Sequence, residues 1–142
     1  MITIHTKTIT EFTAVCYDIV DITAKLKERI RAVGMRNGTA TLFVNGSTAA
    51  LTTIEYEPGP IQDLNEFLEK YIAADRRYRH DDRWNDDNGF AHLRASLFGP
   101  SLANPIVDGA PSLGNWQQVT LMDFDNRPRN REVIGQLIGE CE

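Results

Sequence analysis

Apolar residues along the first third of the chain recur at two different spacings. Up to about residue 20 they alternate with polar ones: Ile2 and Ile4 against Thr3 and His5, then Phe12, Ala14, Cys16 and Tyr17. That pattern predicts strands, with His5 on the polar side. From Asp21 the spacing becomes three and four. Ile22, Leu26, Ile30 and Val33 predict an amphipathic helix over DITAKLKERIRAVG, with Asp21 as N-cap and Gly34 as stop. Lys25, Lys27, Arg29 and Arg31 form its solvated face. Asn37-Gly38 reads as a turn, and Thr39 to Val44 as a strand ending at Asn45-Gly46-Ser47-Thr48. Ala49 to Ile54 returns as a strand that delivers Glu55 and Glu57, and Ile61 to Ala73 is a second helix. Its apolar stripe runs through Ile61, Leu64, Phe67, Leu68, Tyr71 and Ile72.

The periodicity then lapses. ADRRYRHDDRWNDDN, residues 74–88, is almost wholly polar and reads as a loop longer than packing alone requires. NGFAHLRASLFGPS, residues 88–101, holds Leu93 and Leu97 four apart, so that both can face a core from a short helix. His92, Ala95 and Ser96 sit beside them, and Gly99-Pro100 stops the helix. This segment looks more like a site than a strut. Short strands follow at Pro105 to Gly109 and Pro111 to Leu113, then a stronger one at WQQVTLMDFD. On that strand neither alternating face is purely apolar, which places it between a core and a subunit or site surface. Glu132 to Ile138 is the last strand. Two helices packed on seven or eight largely antiparallel or mixed strands make an α+β domain spanning 1–142.

Composition narrows the function classes. With 42% hydrophobic and 25% charged residues the chain is ordinary for a globular protein. A net charge of −5 disfavours a protein built to grip nucleic acid or an anionic membrane. No apolar run is long enough to span a membrane and no signal-peptide core opens the chain, so a cytoplasmic location is expected. Cys16 and Cys141 form no CxxC pattern, which argues against a disulfide framework or a structural zinc site.

Several residues carry candidate chemistry. The Gly46-Ser47-Thr48 turn can offer backbone N–H groups and two hydroxyls to an anion. Glu55 and Glu57, two apart on an extended chain, either meet a cation or are surface acids. His80 stands in the polar loop. Arg127, Arg129 and Arg131 either bind phosphate or pair with acids. No Ser/His/Asp or Cys/His arrangement follows from spacing.

Three blocks in order, GSTAALTTIEYEPG at 46–59, NGFAHLRASLFGPS at 88–101 and GNWQQVTLMDFDNRPRNREV at 114–133, resemble the YjbQ family, also called UPF0047. The resemblance spans essentially the whole chain. It implies a compact α+β fold assembled as a homotrimer. It also implies a thiamine-phosphate synthase activity, in which an aminopyrimidine-methyl diphosphate joins a thiazole phosphate and pyrophosphate leaves. A small phosphorylated metabolite would then be the ligand.

Carried over by position, the implied site holds His80, His92, Arg94, Ser96, Trp116, Gln117 and Glu55. His92, Arg94 and Gln117 would be catalytic. Ser47, Thr48, Ser96, Trp116, Arg127 and Arg129 would hold substrate or anion. His80, His92 and Glu55 would supply metal ligands, for Mg²⁺ brought in with substrate phosphates or for another divalent ion. The chain departs from the family pattern at Gly46, where many relatives carry His. It departs again at Phe90, where a subset sharing the GST turn carries His. Those departures favour the rival reading, a non-catalytic trimeric protein that binds a metal or a small anion.

Overall fold

The structure is a computed structural model and describes residues 1–14 and 18–142. Cys16 and Tyr17, read above as strand text, lie outside the described residues. Twelve elements follow in order: β1 (Ile2–Thr13), β2 (Asp18–Asp21), α1 (Thr23–Val33), β3 (Met35–Asn45), β4 (Ala49–Glu55), α2 (Pro58–Tyr71), α3 (Arg79–Trp84), α4 (Gly89–Phe98), β5 (Ser101–Val107), β6 (Ala110–Pro111), β7 (Gln117–Asp123) and β8 (Arg129–Cys141). The strands form two sheets, ordered β1-β8-β3-β5-β6 and β2-β7-β4, and every described pairing is antiparallel.

Two cores follow from the alternation. Along β8 the odd positions from Arg131 to Gly139 are buried, while Glu132 and Glu140 face outward. The buried Val133 and Leu137 meet Ile22 just before α1, Leu26 and Ile30 within it, and Leu51, Val119 and Leu121 of the smaller sheet. The other face of that sheet, through Ala50 and Met122, packs on Leu68 of α2 and Phe90, Ala91 and Ala95 of α4. The central strand β7 is therefore covered on both sides and is buried from Val119 to Asp123. From Val119 to Asp123 it lies between two cores rather than between a core and a surface, whereas Trp116 and Gln117 at its start are exposed. Its polar residues are satisfied inside: the Thr120 hydroxyl donates to the Thr52 carbonyl (3.1 Å).

Other expectations are corrected as well. There are four helices among the described residues, not two. α3 lies inside the stretch read as a loop, and α4 is the short helix read at 88–101, which the count of two left out. Within α4 the inward face is Phe90, Ala91, Arg94 and Ala95, whereas Leu93 and Leu97 are 46% and 61% exposed. Small residues on the inner face let this helix lie close to β4. Asn37-Gly38 is not a turn but part of β3, beside a register shift between Met35 and Asn37. No described helix is long and apolar enough to cross a membrane.

Candidate functional site

The strand ends β3/β4 and β7/β8 bring their connections together with α3 and α4. There they enclose a polar cavity of about 450 Å³. Gly46 of the β3–β4 turn lines it with φ 149°, a conformation that favours glycine. A Cβ at this position would meet Arg131 Nη1 at 2.7 Å. Ser47 and Thr48 follow in the same turn, and His80, His92, Arg127 and Arg129 complete the set of expected residues found here.

Beneath the cavity lies a buried network of acids and arginines. Arg131 on β8 donates through Nε to Asp123 Oδ2 (2.8 Å) and through Nη2 to Asp123 Oδ1 (2.7 Å), which fastens one sheet to the other. The same Nη2 reaches the Thr48 hydroxyl at 2.6 Å, and that hydroxyl donates to Asp125 Oδ2 at 3.1 Å. The Thr13 hydroxyl donates to Asp123 as well. Asp125 further accepts from Arg129 Nε (2.9 Å) and from Asn88 Nδ2 (3.2 Å).

Burial pushes the Asp125 carboxyl up, but the bonds from Arg129, Asn88 and the Asn126 backbone N–H outweigh it and hold it below the ordinary carboxylate range. Its stabilisation is therefore complete above about pH 4, the unfolded value, and is lost as pH falls through the lower folded value. The resistance of the wild type to urea is expected to fall on acidification below about pH 4. In Asp125→Asn that part of the slope is removed, and an unchanged acid slope would count against the network.

The histidines sit above this floor. The His80 and His92 rings lie 4.1 Å apart, centroid to centroid, at 34°. Burial, with His80 adding to it, pushes the His92 imidazole down, so that it stands neutral at pH 7. His80 Nδ1 is buried without a hydrogen-bond partner, 3.4 Å from Asp86 Oδ1. Asn88 Oδ1 is likewise buried and unpartnered while Asn88 lines the cavity. Orphaned buried polar atoms on a cavity wall fit an absent polar ligand. His80, Asp81 and Asp86 bring ligand atoms within 4.8 Å of one another. Asp81 is already committed, however, since its two oxygens accept from the backbone N–H groups of Gly89 and Tyr78 (each 2.9 Å). Asp86 and His80 are the available pair.

The remaining expected residues stand elsewhere. Glu55 ends β4, opposite Gln117 in the register. Six strand steps separate it from Ala49, roughly 20 Å at the usual rise, so it is remote from His80 and His92. Gln117 donates to the Thr53 hydroxyl at 3.0 Å, and Trp116 beside it is 75% exposed. Arg94 is buried and holds the C-terminal end of α2, with Nε and Nη2 on the Ile72 carbonyl (3.0 and 2.6 Å) and Nη2 on Glu69 (3.0 Å). Ser96 is exposed and donates to the His92 carbonyl at 2.8 Å.

Sequence reasoning did not single out Trp84, Asp86, Asn88, Asp123 or Asp125. A usable signal lay in the DFDNRPRNR run, where acids two apart precede arginines two apart. Of the three arginines, Arg129 and Arg131 pair with acids, and Arg127 has no partner among the described residues.

The family described as UPF0047 protein YjbQ-like matches residues 7–140 of this sequence. The chain belongs to that family. A UPF0047 protein of Archaeoglobus fulgidus is 38% identical over 122 residues, 86% of this chain and 92% of the relative. One from Methanothermobacter thermautotrophicus is 32% identical, over 87% of this chain and 84% of that protein. A crystal structure of a YbjQ-like protein of unknown function from Sulfolobus solfataricus matches with a TM-score of 0.92 at 28% identity, covering 99% of this chain and all of that one. An uncharacterised YjbQ/UPF0047 protein from Clostridium acetobutylicum gives 0.84 at 30% identity, over 92% of this chain and 98% of that one. In this member of the YjbQ-like family Gly46 lines the cavity, whereas Phe90 is buried in the helix-side core and does not line it.

Proposed function

We propose that this chain is a phosphate-handling transferase of the thiamine-phosphate synthase type, acting as a homotrimer in the cytoplasm. An aminopyrimidine-methyl diphosphate would join a thiazole phosphate with loss of pyrophosphate. The observation that carries the reading is Arg127, a cation with no carboxylate partner among the described residues, lining a cavity that also holds two histidines and the Gly46–Thr48 turn. Departing pyrophosphate gains negative charge on oxygen, and a fixed cation with backbone and hydroxyl donors stabilises that charge. Neutral His92 can donate one further hydrogen bond to a phosphate oxygen.

Mg²⁺ or another divalent ion, when bound, would neutralise the diphosphate, and Asp86 with His80 would hold it. The exposed Ile4, Phe12 and Phe43 of the larger sheet support self-association. In a trimer the exposed Trp116 is free to complete a neighbour's site.

The test is formation of thiamine phosphate from the two purified precursors with Mg²⁺. His92→Ala should lower turnover by about 10²-fold at an unchanged melting temperature. Arg127→Ala should raise the KM for the diphosphate. A folded wild type that makes no product would sink the reading.

The separation of Glu55, Trp116 and Gln117 from the cavity favours a second reading, a non-catalytic trimer that binds a metal or a small anion. Saturable binding of inorganic pyrophosphate and Mg²⁺ without turnover would select it.

A further inference from the structure

A second cavity, of about 360 Å³, lies between α1 and the β1 edge of the larger sheet and shares no residue with the polar one. Its floor is apolar: Ile9, Leu26, Val33, Leu42 and Leu137. Part of the space exists because Gly135 pairs with Lys7 on one side and Leu42 on the other and carries no side chain. A Cβ there would already lie 3.4 Å from Leu42 Cδ2 and from the Lys7 carbonyl.

The charges on the wall are of one sign. Lys7 and Arg29 line the cavity and no carboxylate does, in a chain with 20 acids against 15 bases. Lys7 makes no ion pair and no side-chain hydrogen bond among the described residues. Arg29 spends one bond on the Thr8 carbonyl (3.3 Å). One turn earlier on α1, Lys25 is instead neutralised by Glu11 at 2.6 Å. An apolar pocket at the small end of the usual ligand range, with two cations and no acid at its wall, is complementary to an amphipathic anion.

We propose that this cavity binds a free medium-chain carboxylate, with its alkyl tail over Leu26, Val33, Leu42 and Leu137 and its head between Lys7 and Arg29. The tail supplies affinity by leaving water, about fourfold for each methylene buried. The two cations select a charged head over an alcohol.

Calorimetric titration of octanoate into the full chain, below its micelle-forming concentration, tests this directly. One saturable site per chain is expected, with acetate and octanol at least tenfold weaker. Lys7→Ala and Arg29→Ala should each weaken octanoate severalfold, and Gly135→Leu, which fills the space, should abolish it. Lys7 is exposed, so its variant keeps the proposal falsifiable even where Gly135→Leu fails to fold. No saturable octanoate binding, equal binding of octanol, or unchanged affinity in Lys7→Ala would each overturn the assignment.

Discussion

Arg131→Met is expected to lower folding stability by about 3–5 kcal/mol, the cost of leaving a buried charge without its partner. Arg131 and Asp123 are 5% and 2% exposed and share two near-parallel bonds. With the guanidinium gone, the Asp123 side chain keeps, among the described residues, the Thr13 hydroxyl and the Asp125 backbone N–H. Methionine fills much of the volume, so lost charge pairing outweighs lost packing. Against a total stability of about 5–15 kcal/mol, a change of that size leaves a large fraction of the chain unfolded in mild urea. The measurement is the urea midpoint by circular dichroism at fixed protein concentration.

Two controls separate the causes. Arg131→Lys keeps the charge but loses the fork, and should fall between wild type and Met. The double variant Asp123→Asn/Arg131→Met should recover part of the loss, because no uncompensated charge remains. A single-variant loss below 1 kcal/mol would mean that water reaches the carboxylate and that the pair does not clamp the two sheets together. The consequence extends to the cavity: Arg131 also holds Thr48, and Thr48 sits in the turn that offers donors to the proposed phosphate.

The parts of this architecture legible in the sequence are those whose side chains face one environment. Leu26 and Ile30 mark α1, with Ile22 at its cap, because one stripe of that helix is buried and the other is wet. α3 left no such trace. RHDDRW has no apolar period, and the segment is fixed by Asp81 binding the backbone N–H groups of Tyr78 and Gly89, contacts that spacing does not reveal. For α4 the period misleads, because its buried face is built from two alanines, a phenylalanine and an arginine while its leucines face outward. The arginine is admitted to the interior because the Ile72 carbonyl and Glu69 receive it.

For the candidate site, Ser47, Thr48, His80, His92, Arg127 and Arg129 converge although about eighty residues of chain separate the first from the last. Glu55 lies only seven positions after Thr48, yet an extended strand carries it to the opposite end of the smaller sheet. Closeness in sequence is a poor guide along a strand, where each residue adds about 3.3 Å of distance. The Asp123–Arg131 pair was hidden for the converse reason. Its partners are eight residues apart in the chain but belong to two different sheets.

Gly38→Ala is expected to be among the most damaging single changes in the chain, although Asn37-Gly38 reads as a turn in the sequence. Gly38 lies within β3 and pairs with Gly139 of β8. A Cβ on Gly38 would stand 2.2 Å from the Ile138 carbonyl oxygen and 2.8 Å from the Gly139 Cα. A Cβ on Gly139 would stand 2.1 Å from the Asn37 carbonyl oxygen. Both obstacles are backbone, so no rotamer change relieves them and the strands themselves must part. The register shift between Met35 and Asn37 lies immediately beside this contact. Overpacking of an ordinary core costs about 1–3 kcal/mol, and a clash with rigid backbone falls at or beyond the top of that range. Loss of soluble protein, or a melting temperature lower by 10 °C or more, is the expected result for Gly38→Ala. Gly34→Ala provides the comparison: nothing lies within 4 Å of its Cβ position, so only the strain of its φ of 67° is felt. If the two variants melt together, the close approach of β3 and β8 is not what requires glycine at position 38.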